Sequence, residues 1–405
     1  MITTPKANRL HIGIFGKRNA GKSSLLNSLV NQEISIVSDI AGTTTDPVEK
    51  TMEFLPLGPV VFIDTAGIDD VGKLGNFRIE KTKKIFDRTD IAIIVCDAQG
   101  WDEYEINLFS EFKTRNVPVL AIVNKQDISQ INDDKLAQIK KYVKTPLLTS
   151  IKNGRDIVFS LKKQLVSVCP DDFITPPSIL GDIVQAKDTV ILVIPVDKEA
   201  PKGRIILPQV QVLRDLLDNK CKAFVTQETE LSEVINELKT PPKLVITDSQ
   251  AFKEVAEIVP KNIALTSFSI VFARMKGDLQ EFYKGAVAID KLKDNDKVLI
   301  CESCSHHQIE DDIARVKIPR WLKNKTNKDI KFVYHSGHDF PPDLTQYALL
   351  IHCGACMTNR REVLSRIMKC KEVNLPITNY GIAIAHCLGI LNRAVQPFNI
   401  IDIVE

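Results

Sequence analysis

The feature that most constrains the fold is a glycine-rich loop placed between a strand pattern and a helix pattern near the N-terminus. Residues 10–15 form a short strand pattern, residues 16–23 read Gly-Lys-Arg-Asn-Ala-Gly-Lys-Ser, and residues 24–31 form a helix pattern. This is the G-x-x-x-x-G-K-S motif in the context that it requires. Such a loop turns backbone N–H groups towards phosphates, and the helix N-terminus adds positive potential. The sequence therefore predicts an α/β domain with a phosphate site.

The side chains of this loop predict how a nucleotide and its metal ion would be held. Lys22 would pair with the β- and γ-phosphates, and the Ser23 hydroxyl would ligate Mg²⁺. The other predicted contacts between the loop and the nucleotide are Gly16, Asn19, Gly21 and Ser24.

Two later segments predict further contacts with a γ-phosphate and Mg²⁺. Residues 41–46 read Ala-Gly-Thr-Thr-Thr-Asp, a polar loop whose Thr44 can close on the γ-phosphate and the metal. A buried strand pattern ends at Asp64, which can hold Mg²⁺ through water, and the N–H group of Gly67 can contact the γ-phosphate. We therefore predict Lys22, Thr44 and Gly67 as the catalytic groups.

A polar segment after a later apolar strand pattern predicts which base is bound. It reads Asn124-Lys125-Gln126-Asp127. The Asp127 carboxylate can accept both N–H groups of guanine, whereas adenine offers no such pair of donors. Ser150, which follows the next strand pattern, can contact the base from the other side. The motifs in this order indicate a GTP hydrolase.

These motifs resemble those of the TrmE–Era–EngA group of GTPases. The resemblance rests on Asn19 in the phosphate loop, on Gly-Thr-Thr-Thr-Asp at residues 42–46 and on the Asn-Lys-x-Asp segment. In that group an asparagine at the position of Asn19 helps bind potassium, so the resemblance implies a K⁺ site there. Ile68 stands where Ras-like proteins carry a glutamine that orients water, and a hydrophobic side chain cannot do so. We therefore expect slow intrinsic hydrolysis, assisted by K⁺ or a partner.

The rest of the chain alternates strand and helix patterns, which predicts three consecutive α/β domains in all. We predict a P-loop GTPase domain at residues 1–170, a small parallel-sheet domain at residues 181–266 and a cysteine-rich α/β domain at residues 267–405. A proline-rich linker, residues 170–180, separates the first two domains. The middle segment contains neither a glycine-rich phosphate loop nor a catalytic constellation, so we expect it to form a homodimer.

Cysteine and histidine are concentrated after residue 300, where six of the nine cysteines and six of the seven histidines lie. In a reducing cytosol such clustering favours metal binding over disulfides. The candidate ligands are Cys304 and His306 after one strand pattern, and His352, Cys353 and Cys356 after another. If these strands are parallel, the side chains emerge together at the carboxyl edge of one sheet.

Two metal centres fit these residue types. Cys301 and Cys304 form a C-x-x-C pair with Cys353 and Cys356 as a second pair, and such pairs can bind zinc. Zinc ribbons usually separate the pairs by roughly 15–20 residues, so this sequence fits them poorly. Three thiolates with one labile ligand suit a 4Fe–4S cluster that keeps an open iron. The residues alone leave both centres open.

The spacing of these ligands resembles the signature of the HydF family, the GTPase maturases of FeFe-hydrogenases. Cys304-x-His306 is followed after 45 residues by His352-Cys353-x-x-Cys356, and the order of GTPase, middle and cluster segments also matches. The resemblance implies a 4Fe–4S cluster on the three cysteines. It further implies a scaffold that receives a two-iron precursor made with radical-SAM maturases and delivers it to the FeFe-hydrogenase apoprotein. Dimerisation through the middle domain is also implied.

The fourth ligand of such a cluster stays open at this point. His306 and His352 occupy motif positions, while water, Glu310 and Asp311 are the other candidates. An open iron is expected if the site must accept an incoming precursor. Cys301 lies outside the motif, and we interpret it as a packed residue at the end of a strand.

Composition argues against nucleic-acid and membrane partners. The net charge is +2 and aromatic residues make up 6%, whereas a nucleic-acid-binding surface is basic and rich in aromatic side chains. The apolar runs are too short to span a bilayer, and residues 1–9 lack the apolar core of a secretory signal. We therefore expect a cytoplasmic protein. The alternative is a TrmE- or Era-like GTPase that acts on RNA or ribosomes and carries a structural zinc site.

Overall fold

In a computed structural model, the described part of the chain contains three sheets. They are distributed over two compact units, Met1–Pro176 and Pro177–Glu405. The residues that the structure describes are 5–32, 38–40, 48–55, 57–65, 84–150, 154–170, 173, 178–195, 205–302 and 312–400.

The first unit contains a seven-stranded sheet. Its strands are β1 (Leu10–Phe15), β2 (Ser38–Ile40), β3 (Val48–Phe54), β4 (Gly58–Asp64), β5 (Ile91–Cys96), β6 (Val119–Val123) and β7 (Leu147–Leu148). Its helices include a 3₁₀ turn (Lys6–Asn8), α1 (Lys22–Gln32), α2 (Glu103–Thr114), α3 (Asp133–Lys140) and α4 (Gly154–Val168). The strand order is β2-β3-β4-β1-β5-β6-β7, with β2–β3 and β3–β4 antiparallel and the other pairs parallel.

The central strands of this sheet are covered on both faces. β1 and β5 are buried at every residue, as expected for near-continuous apolar strands inside a parallel sheet. Leu25 of α1 and Leu161 of α4 lie in the hydrophobic cluster on one face. Phe15, Phe86 and Phe112 pack on the other face, with ring centroids 4.8–5.4 Å apart. This packing fixes the end of β1, from which the phosphate loop departs.

The second unit begins with a four-stranded parallel sheet. Its strands are β8 (Thr189–Val193), β9 (Lys222–Thr226), β10 (Leu244–Thr247) and β11 (Ala264–Ser267), in the order β11-β10-β8-β9. Its helices are α5 (Leu207–Asp218), a 3₁₀ turn (Glu228–Glu230), α6 (Leu231–Glu237), α7 (Phe252–Ile258) and α8 (Phe268–Lys276). β9 is therefore an edge strand.

A second four-stranded parallel sheet follows in the same unit. Its strands are β12 (Lys297–Glu302), β13 (Lys331–Ser336), β14 (Leu349–His352) and β15 (Ile377–Asn379), in the order β13-β12-β14-β15. The α-helices are α9 (Leu279–Val287), α10 (Ile318–Thr326), α11 (Arg360–Glu372), α12 (Tyr380–Cys387) and α13 (Leu391–Val395). The shorter turns are 3₁₀ turns at Ala288–Lys291 and Gln396–Phe398 and a π turn at Ile313–Lys317.

One hydrophobic cluster contains residues of both sheets of the second unit. Ile191 and Val245 belong to it from the first sheet, and Leu299 and Leu350 from the second. α8 follows β11 directly and packs against α11 and α12. The predicted α/β class with parallel sheets is confirmed. The domain boundary between residues 266 and 267 stays a prediction, because the two sheets share this core.

Gly285 allows α9 to lie close to the backbone of β15, and a larger residue there should destabilise the second unit. A Cβ at this position would lie 1.9 Å from the carbonyl O of Ile377. Overpacking costs typically about 1–3 kcal/mol, and the roughly 1 kcal/mol that alanine gains over glycine in a helix offsets only part of this. We expect Gly285→Ala to lower the urea midpoint of the second unit's unfolding, measured by circular dichroism. Lys284→Ala, exposed on the same helix, is the control. Equal midpoints would contradict the close approach.

Candidate functional site

The phosphate loop has the backbone geometry that its glycines permit. Gly16 and Gly21 have φ angles of +138° and +104°, and Asn19 has a left-handed φ of +63°. A Cβ at Gly16 would lie 2.1 Å from the carbonyl O of Val95 on β5. Only glycine fits there, so the loop stays close to the carboxyl edge of the sheet.

Lys22 is buried at the start of α1 and caps the loop. Its Nζ donates to the carbonyl O atoms of Gly16, at 2.5 Å, and of Lys17, at 2.9 Å. Such carbonyl oxygens stand in for the phosphate oxygens that this ammonium would meet in a nucleotide complex. Ser23 and Ser24 are exposed beside it at the N-terminus of α1. The predicted phosphate contacts therefore lie together.

The predicted Mg²⁺ side of the site adjoins the loop. Asp64 is the last residue of β4, is buried, and pairs in register with Ile14 of β1. Thr65, which follows it, donates its hydroxyl to the carbonyl O of Ile14 at 2.8 Å. Thr44 and Gly67 lie outside the described residues, so their catalytic roles stay predictions.

The predicted guanine side of the site is joined to the loop through Asn124. Its Nδ2 donates to the carbonyl O of Ala20 at 2.9 Å, while its buried Oδ1 has no partner among the described residues. The hydroxyl of Ser150 is likewise buried and unpartnered there. Lys125 has a left-handed φ of +62°, and Asp127 is exposed. Buried polar atoms usually have hydrogen-bond partners, so Asn124 Oδ1 and the Ser150 hydroxyl are suited to pair with a bound nucleotide.

An ion pair that the sequence motifs do not include also holds the loop. Lys17 pairs with Asp102, and its Nζ lies 3.6 Å from Glu105. Asp102 caps α2 and forms a capping box with Glu105. Burial opposes the charge of Lys17, but these carboxylates outweigh it and raise the lysine's pKa. The D-x-x-E capping signature was the available sequence signal.

The predicted cluster ligands lie at the carboxyl edge of the last sheet. β12 and β14 are parallel neighbours, and Cys301 pairs in register with His352. Cys353 is buried and Cys356 is partly exposed in the loop that follows β14. Cys304 and His306 follow the end of β12 but lie outside the described residues, as do Glu310 and Asp311. The parallel direction expected for these strands is thus found.

Both ring nitrogens of His352 are bound to protein groups. Its Nδ1 lies 2.8 Å from the carbonyl O of Cys353, and its Nε2 lies 2.8 Å from a guanidinium nitrogen of Arg366. Since a carbonyl accepts and a guanidinium donates, these contacts require a proton on Nδ1 and an accepting lone pair on Nε2. For Nε2 to bind a metal, Arg366 would have to release it.

Arg366 belongs to a buried polar network that sequence reasoning missed. It donates to Glu362 Oε1 at 2.7 Å and to the carbonyl O of Gly337 at 2.8 Å. The other Glu362 oxygen lies 2.9 Å from Nδ1 of His338. Asn359 caps the same helix by accepting from the Glu362 N–H. The network joins the loop after β13 to the loop after β14 that contains Cys353 and Cys356, called the cysteine loop below. Its only sequence signal was a Glu–Arg pair four residues apart.

A buried lysine also contacts the cysteine loop. Lys276, at the end of α8, donates from Nζ to the carbonyl O atoms of Ala355, at 2.7 Å, and of Thr358, at 2.8 Å. Burial lowers its pKa to about 8, although Cys356 and Cys353 act in the opposite direction. Ala355 has a left-handed φ of +54°. No sequence motif marks this lysine.

Cys301 differs from the loop cysteines. It is fully buried within β12 and belongs to the hydrophobic cluster, together with Cys370. Burial raises the pKa of the Cys301 thiol to about 12. Metal ligation requires the thiolate, so this environment agrees with a packing role for Cys301.

The described residues supply part of a metal site. Within those ranges no group of three or more His, Cys, Asp and Glu side chains converges, and the predicted third thiol, Cys304, lies beyond them. Two thiols in one C-x-x-C loop are the soft donors that an iron–sulfur cluster needs. A small pocket beside them is lined by Phe272, Lys276, His352, Cys353, Val363 and Asn379, among others. The two described thiols therefore fit an iron–sulfur cluster.

The geometry defines the class of protein. The first unit is a P-loop GTPase domain, because the capped phosphate loop, Asp64 and Asn124 converge at one edge of its sheet. Two parallel sheets follow, and the second carries a Cys-x-x-Cys loop at its carboxyl edge. None of the helices in the described ranges is both long and apolar enough to cross a bilayer.

Comparison with protein families identifies all three segments. The family described as 50S ribosome-binding GTPase matches residues 11–125. The hydrogen maturase F dimerization domain matches residues 179–277, and the hydrogen maturase F tetramerization domain matches residues 280–397. The chain belongs to the HydF-type GTPase maturases, which confirms the resemblance seen in its ligand spacing.

Curated relatives match the GTPase unit and confirm the predicted GTP hydrolase. GTPase Der of Wolinella succinogenes is 37% identical over 174 residues, covering 40% of this chain and 36% of that protein. The tRNA modification GTPase MnmE of Prochlorococcus marinus is 36% identical over 166 residues, covering 38% of this chain and 34% of that protein. The chain thus spans about a third of the length of these relatives.

A solved structure of Era from Aquifex aeolicus, bound to GDP and AlF₄⁻, is also similar. It is 21% identical, with a TM-score of 0.33, and the match covers 54% of this chain and 93% of the Era chain.

Replacing the Asp127 carboxylate should change which base is bound. Asp127→Asn removes the acceptor for the guanine amino group, and its amide N–H can donate to the carbonyl that xanthine carries instead. Each lost bond to a charged group costs about 1.5–3 kcal/mol, and 1.4 kcal/mol is about tenfold. Since the asparagine oxygen can still accept from the ring N–H, one bond is lost, and we expect GTP affinity to fall at least about tenfold. XTP should then bind more tightly than GTP in calorimetric titrations. Asp134→Asn, an exposed change on α3, should leave GTP binding intact. Unchanged GTP affinity in Asp127→Asn would disprove the assignment.

Proposed function

We propose that this chain is an FeFe-hydrogenase maturation GTPase that carries a 4Fe–4S cluster on Cys304, Cys353 and Cys356. It receives a two-iron precursor made with radical-SAM maturases and delivers it to the hydrogenase apoprotein. The observation that carries the proposal is the Cys353–Cys356 loop, which leaves the same sheet edge as the chain that runs on from β12 to Cys304. The protein acts in the cytoplasm.

The GTPase unit supplies the switch in this proposal. Lys22, Thr44 and Gly67 contact the γ-phosphate, and Mg²⁺ is held by Ser23 and Thr44, with Asp64 acting through water. Asn19, whose left-handed backbone exposes it on the loop, is the K⁺ contact. The nucleotide state gates the release of a protein partner. Hydrolysis is slow because Ile68 cannot orient water.

The cluster segment supplies the carrier. The two loop thiols lie beside the buried ammonium of Lys276, whose positive charge favours thiolates. Because both nitrogens of His352 are engaged, the fourth position falls to water, His306, Glu310 or Asp311. A labile fourth ligand lets the incoming precursor reach iron. The bound cluster supplies the iron to which a precursor attaches.

An exposed apolar edge supports a homodimer through the middle sheet. Phe224 and Val225 on the edge strand β9 are 41% and 54% exposed. Val210 and Leu217 of α5, seven residues apart and so on one helix face, are exposed beside them. Exposed apolar edge strands favour pairing with another chain. The occupant we propose is a second copy, since the matching family domain is a dimerization domain.

Loss of one loop thiol should abolish the iron–sulfur centre. After anaerobic reconstitution with iron and sulfide, the wild-type chain is expected to show a 4Fe–4S electron paramagnetic resonance signal when reduced. Cys353→Ser should lose it, because a serine hydroxyl is not the soft ligand that iron–sulfur clusters require.

Cys221→Ser is the matched control, since this thiol, just before β9, bonds to the carbonyl O of Gln185, and a serine can keep that bond. Stoichiometric zinc with no iron uptake by the wild-type chain would exclude the scaffold and favour the alternative GTPase that acts on RNA.

A charge on the β9 edge should weaken the dimer. Val225→Lys places an ammonium in the proposed interface, where an unpaired charge is strongly disfavoured. We expect a lower mass than wild type by light scattering after size-exclusion chromatography. Ile258→Lys, an exposed apolar position at the end of α7, is the control. If Val225→Lys keeps the wild-type mass, β9 is not the interface.

A further inference from the structure

The two lysines that are buried among the described residues make similar hydrogen bonds. Lys22 and Lys276 are 4% and 3% exposed. Each bridges two carbonyl oxygens of one loop, Lys22 in the phosphate loop and Lys276 in the loop of Cys353 and Cys356. An ammonium is costly to bury and is retained where its charge is needed. Lys22 belongs to a motif that binds anionic phosphates. Lys276 makes the same kind of contacts in the loop that holds the two cysteines.

Lys276 reaches the cysteine loop from outside the last sheet. It is the final residue of α8, which follows directly from β11 of the middle sheet. A second contact fixes the same helix end, because Nε of Arg360 donates to the carbonyl O of Met275 at 3.1 Å. The loop is therefore held from both sides of Cys356, through Ala355 and through the segment from Thr358 to Arg360.

The ammonium retains a donor for a ligand. A lysine has three N–H groups, and two of those on Lys276 are used by Ala355 and Thr358. In the described part of the chain no third acceptor is found. The pocket that Lys276 lines also contains His352 and Cys353. Its remaining N–H and its charge are thus available at the wall of the proposed cluster site.

We propose that Lys276 is a positioning residue of the cluster site, which holds the Cys353–Cys356 loop by its carbonyls and offers its third N–H and its positive charge to the anionic cluster. This rests on the cluster proposed above. Hydrogen bonds to cluster sulfurs and local charge tune the reduction potential of such centres. A nearby positive charge stabilises the reduced, more negative form. Lys276 therefore makes the cluster easier to reduce.

The test is a redox titration of the reconstituted full-length chain, followed by electron paramagnetic resonance. Lys276→Met keeps the apolar stem and removes the charge. We expect its one-electron reduction to become at least tenfold less favourable, a fall in midpoint potential of about 59 mV or more. Lys276→Arg keeps the charge and should restore most of the potential. Lys284→Met, on the exposed side of α9, is the matched control and should equal wild type.

The outcomes separate this inference from the proposed function. If the wild-type chain takes up no iron, the cluster proposal fails. If it does, and Lys276→Met retains the wild-type potential with normal iron content, only the role of Lys276 is overturned. Should Lys276→Met not fold, as judged by circular dichroism, Lys276→Gln keeps amide donors for the loop without the charge. The same fall in potential is then expected, and an unchanged potential overturns the inference.

Discussion

Parallel pairing of neighbouring strands is the constraint on which both sites depend. β1 lies beside β4 and β5, so the phosphate loop, Asp64 and the end of β5 meet at one edge. β12 lies beside β14, so the segments that follow Glu302 and His352 start next to each other. Antiparallel pairing would place consecutive strand ends at opposite edges. Strand direction therefore assembles each site before any ligand binds.

The nucleotide site was predictable because its chemistry lies in short contiguous motifs. Gly16 to Ser23 form a loop whose geometry follows from glycine spacing, and Asn124 belongs to a fixed tetrapeptide. The cysteine loop was predictable by the same logic, together with the expectation of parallel strands. Lys17 was the exception within the loop, since its partners Asp102 and Glu105 lie 85 or more residues further on. Such pairing depends on tertiary contacts.

The groups around the cysteine loop could not be predicted for a physical reason. Lys276, Glu362 and Arg366 are charged residues on helices, and charged residues in sequence are typical of solvated faces. Their burial is decided by tertiary contacts, because Lys276 of α8 bonds to Ala355, 79 residues away, and Arg366 of α11 bonds to Gly337, 29 residues away. Buried charges are kept where they are hydrogen-bonded, as all three of these side chains are. The network therefore marks the loop as a site that must hold one geometry.

The hydrogen bonds of His352 constrain the fourth position of the proposed cluster. If Nε2 bound iron, a buried N–H of Arg366 would lose its acceptor, which costs about 1–3 kcal/mol and more for a charged donor. Arg366 would keep Glu362 and Gly337, so it could not follow the imidazole away. Water, His306, Glu310 or Asp311, the other candidates in the proposed site, would take the fourth position without that loss. His352 then acts on the loop, by holding the carbonyl of Cys353, and the exchangeable position is left to groups that can leave when a precursor arrives.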